Sequence, residues 1–215
     1  MLPAGLSRGF VLTGGQSSRM GRDKALLELR GRPMVLYVAE SVVRATLSVT
    51  LVGSKERYAS LGLPVVEDLV PGQGPLSGIH AALKESRTPL NLIVGCDMPF
   101  LDPAFLEHLL MVAAASDAEV TLPETLDSGV AALCAVYHRD ALPPVEQALQ
   151  EGERKLSRVH ERLRVRRLGP EEWEKFNTCG LLFQNVNTPE EFEQTRRSLE
   201  APAYGEPQEE LQKQT

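Results

Sequence analysis

Leu12-Thr13-Gly14-Gly15-Gln16-Ser17-Ser18-Arg19-Met20-Gly21-Arg22-Asp23-Lys24 decides how the rest of the chain is read. It follows Gly9-Phe10-Val11-Leu12-Thr13, an apolar run that reads as a buried strand. Gly14 and Gly15 tolerate positive φ and let the backbone approach a ligand closely. Their N–H groups, with Ser17 and Ser18, could line an anion-binding concavity, and Arg19 and Lys24 add permanent positive charge suited to a polyphosphate. No Gly-Lys-Ser/Thr closes the loop, so it is not a P-loop. The glycine spacing is not that of the dinucleotide fingerprint either. The plain alternative is a glycine-rich turn with solvated charges.

Outward from this loop, short apolar runs alternate with helix-length amphipathic segments. From residue 32 or 33 to about 44, Val35, Leu36, Val38, Ala39, Val42 and Val43 form a helical stripe. Strands are expected at 48–52, 63–66 and 90–94, and helices at 76–83 and 103–115, the latter with Asp102 as N-cap. The second half suggests strands at 119–122, 130–137 and 163–166, a helix at 139–150, and a last helix at 189–199 capped by Thr188. Residues 1–200 read as one domain. The Pro-, Glu- and Gln-rich tail at 201–215 is expected to be disordered. Such alternation predicts an α/β fold, a mostly parallel twisted sheet with helices on both faces. Ligands in such sheets bind beyond the carboxyl ends of the strands, here after Leu12 and Val94.

Two further constellations sit at that edge. Asn91-Leu92-Ile93-Val94-Gly95-Cys96-Asp97-Met98-Pro99 leaves Asp97 just past a buried strand. A carboxylate there, opposite a cationic phosphate loop, suits Mg²⁺, which is held by one or two carboxylates plus substrate phosphates. A turn-capping Asp before Pro99 is the alternative. In Glu67-Asp68-Leu69-Val70-Pro71-Gly72-Gln73-Gly74-Pro75-Leu76-Ser77-Gly78, a stiff loop again links strand to helix, and Asp68 could accept from ribose hydroxyls or a purine edge. A plain surface loop is the alternative, and composition alone slightly favours it.

Taken in order, these motifs, with Asn185-Val186-Asn187-Thr188-Pro189-Glu190-Glu191 near the end, resemble those of the molybdenum cofactor guanylyltransferases over roughly residues 10–199. That group lies within nucleoside-triphosphate transferases with a Rossmann-like, three-layer α/β/α fold of the nucleotide-diphospho-sugar transferase type. The resemblance implies GTP and molybdenum-bearing molybdopterin as substrates, the guanine dinucleotide cofactor and pyrophosphate as products, and Mg²⁺ as cofactor. It implies that Leu12, Thr13, Gly14, Gly15, Lys24, Asp68, Gly78 and Asp97 contact the nucleotide. Arg19, Lys24 and Asp97 would serve catalysis, Asp97 would hold the metal, and Asn185 and Asn187 would lie close to the active site. Thr13 stands where the family usually has Ala, and Gly53 about where it places a nucleotide-contacting Asn. A sister enzyme using CTP or another phosphorylated acceptor, or a non-catalytic module handing cofactor to a molybdoenzyme client, are the competing readings.

Composition bounds the rest. Of 215 residues, 42% are hydrophobic and 24% charged, enough for one substantial core, and 29 acidic against 23 basic side chains argue against a nucleic-acid or anionic-membrane binder. No apolar run approaches the roughly 20 residues that cross a bilayer. Cys96, Cys134 and Cys179 are odd in number and far apart, which suggests reduced thiols in a cytoplasmic protein, taken here as a monomer. His80, His108, His138 and His160 show no metal-ligand spacing. The cluster Arg154, Lys155, Arg158, Arg162, Arg164, Arg166 and Arg167 could receive a pterin phosphate or a client, but a solvated face is the better reading. Trp173 and Phe176 read as core residues rather than pterin stackers.

Overall fold

The structure, a computed structural model, describes residues 2–3, 5–13, 23–68, 74–125 and 133–200. In chain order the elements are β1 (Ser7–Leu12), β2 (Glu28–Leu29), β3 (Arg32–Pro33), α1 (Met34–Thr46), β4 (Val49–Val52), α2 (Lys55–Tyr58), β5 (Val65–Val66), α3 (Pro75–Glu85) and β6 (Leu90–Gly95). They continue with α4 (Pro103–Ala114), β7 (Val120–Pro123), β8 (Cys134–His138), α5 (Leu142–Gln150), α6 (Leu156–His160), β9 (Val165–Leu168), α7 (Pro170–Trp173) and α8 (Pro189–Glu200). Seven strands form one sheet in the order β5-β4-β1-β6-β8-β7-β9, and β2 and β3 form a separate small hairpin. Every pairing in the large sheet is parallel except those of β8, which runs against both β6 and β7. The expected mostly parallel sheet with helices on both faces is what forms.

Strand alternation builds two cores from the same strands. Val11, Leu51, Leu92, Val94 and Val136 point to the face covered by α1 and α4. Phe10, Leu12, Val52, Ile93, Ala135 and Tyr137 point to the face covered by α3, α5 and α6. Burial on both sides is why these strands read as continuous apolar runs rather than as alternating ones. A third, smaller cluster lies apart: Leu29, Met34, Phe100, Val186 and Leu199, with Tyr37 and Phe192 against it, ties α8 to the β2–β3 hairpin.

Several expected boundaries shift for identifiable reasons. Helix α1 starts only at Met34 because Arg32 and Pro33 pair with Leu29 and Glu28. It runs on to Thr46 and closes on Leu47, in the left-handed region at φ 62°, whose N–H bonds Val43 O at 2.7 Å. Only Val65 and Val66 of the expected strand at 63–66 join the sheet. The segment expected as a helix over 139–150 opens with a 3₁₀ turn, Arg139–Ala141, before α5. Two prolines occupy the first turn of α5, where missing N–H groups leave no bond broken. Strand β9 lies two residues beyond the expected 163–166, because α6 ends in turns that carry Arg162 N to Val159 O and Leu163 N to His160 O. Asp102 caps α4 as expected, accepting from Ala104 N at 2.6 Å and Phe105 N at 3.2 Å. Strand β8 begins at Cys134; residues 126–132, with the first part of the expected 130–137 strand, lie outside the described residues, as does the tail at 201–215.

Candidate active site

Strands β1 and β6 are parallel neighbours in a register that sets Leu12 beside Gly95, so their carboxyl ends emerge together. One further bond, Cys96 N to Leu12 O at 3.1 Å, carries the pairing a residue past β6 and delivers Asp97 next to the end of β1. Gly95 is required there for space: a Cβ on it would lie 2.6 Å from Asp97 Oδ1. Asp97 is 7% exposed.

Lys24 reaches the same point from a 3₁₀ turn, Lys24–Leu26, capped by Asp23, whose carboxylate accepts from Ala25 N at 3.1 Å. The Lys24 ammonium donates to Asp97 Oδ2 at 2.6 Å and to Asn187 Oδ1 at 3.1 Å. Asn187 arrives from far down the chain. Val186 N bonds the carbonyl of Asp97 at 2.9 Å, and Val186 itself is fully buried in the third cluster. The following helix is anchored by a reciprocal capping box: Glu191 N bonds Thr188 Oγ1 at 3.2 Å, while Glu191 Oε2 takes Thr188 N at 2.9 Å and Asn187 N at 2.6 Å. Thr188 is thus the cap expected from its sequence. Three residues separated by 73 and 163 positions meet within hydrogen-bond distance.

Asp97 Oδ1 is buried and makes no hydrogen bond among the described residues. Leaving a buried carboxylate oxygen unmet is costly, and such an atom at a strand end is a ready acceptor or cation ligand. No group of three or more His, Cys, Asp or Glu that could hold a metal ion converges among the described residues, here or elsewhere.

The other expected site residues take distinct places. Leu12 is the last residue of β1 and packs its side chain into the α3 face. Thr13 is 5% exposed, and its N and Oγ1 both bond Val52 O, at 3.0 and 2.9 Å. Asp68 follows β5 and lies 2.6 Å from the Ser77 hydroxyl in the first turn of α3. Gly78, one residue on, packs beneath Leu12, where a Cβ would come 3.1 Å from Leu12 Cδ2. Asn185 is exposed, its amide 3.5 Å from Phe183 O. Gly14, Gly15 and Arg19 lie outside the described residues.

Thr13 and Gly53, which both depart from the family pattern, turn out to be neighbours. A Cβ on Gly53 would collide with Thr13 Oγ1. The extra hydroxyl on one strand end fills space that a side chain on the next would need.

Other sequence readings resolve here. Cys96 and Cys134 are buried, and burial pushes each thiol up to about 12; Cys179 is exposed. Trp173 is 5% exposed and stacks edge-on against Phe183, as a core residue. Tyr58 shapes the site without having stood out in the sequence, since nothing local marks a tyrosine that bonds to a strand end 45 residues earlier; its partner Asp23 lies in the quoted loop motif, which by itself gives it no role.

Residues 9–166 match the model of the MobA-like NTP transferase domain. A probable molybdenum cofactor guanylyltransferase of Pelotomaculum thermopropionicum is 34% identical over 92% of this chain and 95% of its own length. The molybdenum cofactor guanylyltransferase of Vibrio atlanticus is 32% identical over 86% of this chain and 92% of its own. The chain belongs to the MobA-like NTP transferase family. The crystal structure of molybdopterin-guanine dinucleotide biosynthesis protein A from Archaeoglobus fulgidus superposes with a TM-score of 0.80 at 27% identity, covering 90% of this chain and 98% of that one. As a MobA-like transferase the chain is a nucleotidyltransferase enzyme, and its sheet is that of the nucleotide-diphospho-sugar transferase-like fold.

Proposed function

We propose that this domain transfers GMP from GTP to the terminal phosphate of molybdenum-bearing molybdopterin, releasing pyrophosphate, at the site built by Lys24, Asp97 and Asn187. The observation that carries this reading is the 2.6 Å contact between Lys24 and a buried Asp97 at the adjoining ends of β1 and β6. The family supplies the substrate class.

Nucleotidyl transfer asks little covalent chemistry of a protein. It asks for in-line placement and for neutralisation of charge on the phosphoryl oxygens and the leaving group. Lys24 supplies a mobile point charge for the triphosphate. Arg19 and the Gly14 and Gly15 amides are assigned to the same triphosphate on the strength of the motif. Asp68, after β5, Gly78, near the start of α3, and Leu12 and Thr13, at the end of β1, are assigned to the nucleoside side. The attacking phosphate is ionised at neutral pH, so no general base is needed.

The residues present fit a hard divalent cation: Asp97 Oδ1 is buried without a hydrogen-bond partner among the described residues, and Asn187 adds an amide oxygen close by. Asp97, with Asn187 close by, would hold Mg²⁺, which would supply charge neutralisation at the phosphates when bound. Lys24 contacts Asp97 through Oδ2, and a triphosphate bound here would compete with that carboxylate for the ammonium.

Pyrophosphate release from GTP and molybdopterin tests the assignment, with Asp97→Ala and Lys24→Ala as the variants. Turnover at the parental rate in either folded variant would remove that residue from the mechanism. We assign the activity to the cytoplasm, in keeping with the few, widely spaced cysteines of the sequence, and to a monomer. Molybdoenzymes are the expected clients, with no role for nucleic acid or membrane. No helix among the described residues is long and apolar enough to cross a membrane.

A further inference from the structure

The turn that carries Lys24 is held from outside the site. Tyr58, the last residue of α2, is 2% exposed, and its hydroxyl faces two acceptors: Asp23 Oδ2 at 2.8 Å and the Thr13 carbonyl at 3.2 Å. Burial raises the Tyr58 pKa further above its ordinary value, so the group is a permanent O–H donor. Asp23 passes the contact on. One of its oxygens accepts a hydrogen bond from the tyrosine O–H, and the other accepts from Ala25 N, closing the 3₁₀ turn whose first residue is Lys24. On the outer side Arg57, largely exposed, stands 3.6 Å from Asp23 Oδ2. Gly53 leaves the room that this packing needs, since a Cβ there would lie 2.9 Å from Tyr58 Cε2.

We propose that Tyr58 is a positioning residue for the transfer: by donating to Asp23 while touching the end of β1, it fixes the turn that aims the Lys24 ammonium at Asp97. Without the hydroxyl, Asp23 keeps Arg57 as its charged partner among the described residues, toward solvent, and the turn loses its tether to β1. This inference rests on the reading of Lys24 as a triphosphate ligand.

The test is calorimetric titration of GTP, with Mg²⁺ present, into the parent, Tyr58→Phe, Lys24→Ala and the double variant. Tyr58→Phe keeps the ring and removes one charge-assisted bond, so it is expected to weaken GTP binding by about tenfold. In the Lys24→Ala background the same change is expected to cost nothing further, because its effect runs through Lys24. Equal losses in both backgrounds would mark a merely structural tyrosine and overturn the proposal, as would parental affinity in Tyr58→Phe alone. Should Tyr58→Phe fail to fold, Asp23→Asn weakens the same link from the other side and must show the same dependence on Lys24. Parental affinity in Lys24→Ala sinks the functional reading and this inference together. A weak Lys24→Ala beside a tight Tyr58→Phe sinks this inference alone.

Discussion

Two charged regions of this molecule invite comparison. Residues 154–167 carry seven basic side chains in a short run, and five of them sit against carboxylates at the surface: Arg158 with Glu161, Arg162 with Glu151, Arg164 with Glu119, Arg166 with Glu172 and Arg167 with Glu124. All five of these arginines have side chains at least 39% exposed. The other region has one lysine and one aspartate from distant segments, with side chains 19% and 10% exposed. Exposed pairs gain little over the water they replace. The buried pair has given up hydration and keeps an unmet oxygen beside it. Density of charge along a chain therefore says less about function than one charge desolvated at a strand end.

The largest test of that contrast is removal of the buried pair. Asp97→Ala and Lys24→Ala are each expected to lower pyrophosphate release by about 10²- to 10³-fold, the scale set by losing a preorganised electrostatic contact. Next comes Gly95→Ala, whose methyl group must displace the Asp97 carboxylate. A misplacement of that kind costs on the order of 10²-fold in rate, read in a steady-state assay alongside a melting curve. Nucleotide choice follows: at a hundredfold excess over Kd, GTP with Mg²⁺ should stabilise the fold by about 2.7 kcal/mol, and CTP, ATP and UTP by less. A larger thermal shift with CTP would transfer the site to the cytidylyl sister reaction. At the small end, Arg162→Ala and Arg158→Ala should leave turnover within about twofold and stability within about 1 kcal/mol. A collapse of turnover there would erase the distinction between the two regions.

Acid gives a second handle on the arginine-rich half. His160, buried beneath Tyr137 with Nε2 2.9 Å from its hydroxyl, has its pKa lowered by burial, with Arg167 adding to the effect. A depressed folded value means the neutral ring is the stable one. Its contribution is whole above about pH 6.5 and is lost as pH falls through the folded value. Chemical denaturation at descending pH should show this loss in the parent, and His160→Gln should flatten that part of the curve.

The sequence disclosed most where a single physical requirement acted alone. Strands β1, β4 and β6 were readable because burial on two faces leaves an unbroken apolar run. Asp102 and Thr188 were readable as caps because capping is local. Helices α2, α6 and α7, of four or five residues, escaped because they are too short to show a period. In the site, Lys24, Asp97 and Asn187 could be picked out by motif, yet their mutual contact depends on the β1–β6 register and on Val186, which no local pattern reveals. Gly95 and Tyr58 were silent for the same reason. One matters for an atom it lacks, the other for a hydroxyl aimed across the fold. The Thr13–Gly53 fit is likewise invisible until the two strand ends are seen side by side.

The satellite cluster of Leu29, Met34, Phe100, Val186 and Leu199 has its own bearing on how the enzyme wears out. It secures the hairpin after Lys24 and the segment bearing Asn187, yet it is far smaller than the two cores that hold the sheet. On heating, the small cluster is expected to give way first, so that activity falls below the temperature at which the layered body melts; turnover and circular dichroism followed on one temperature ramp check this.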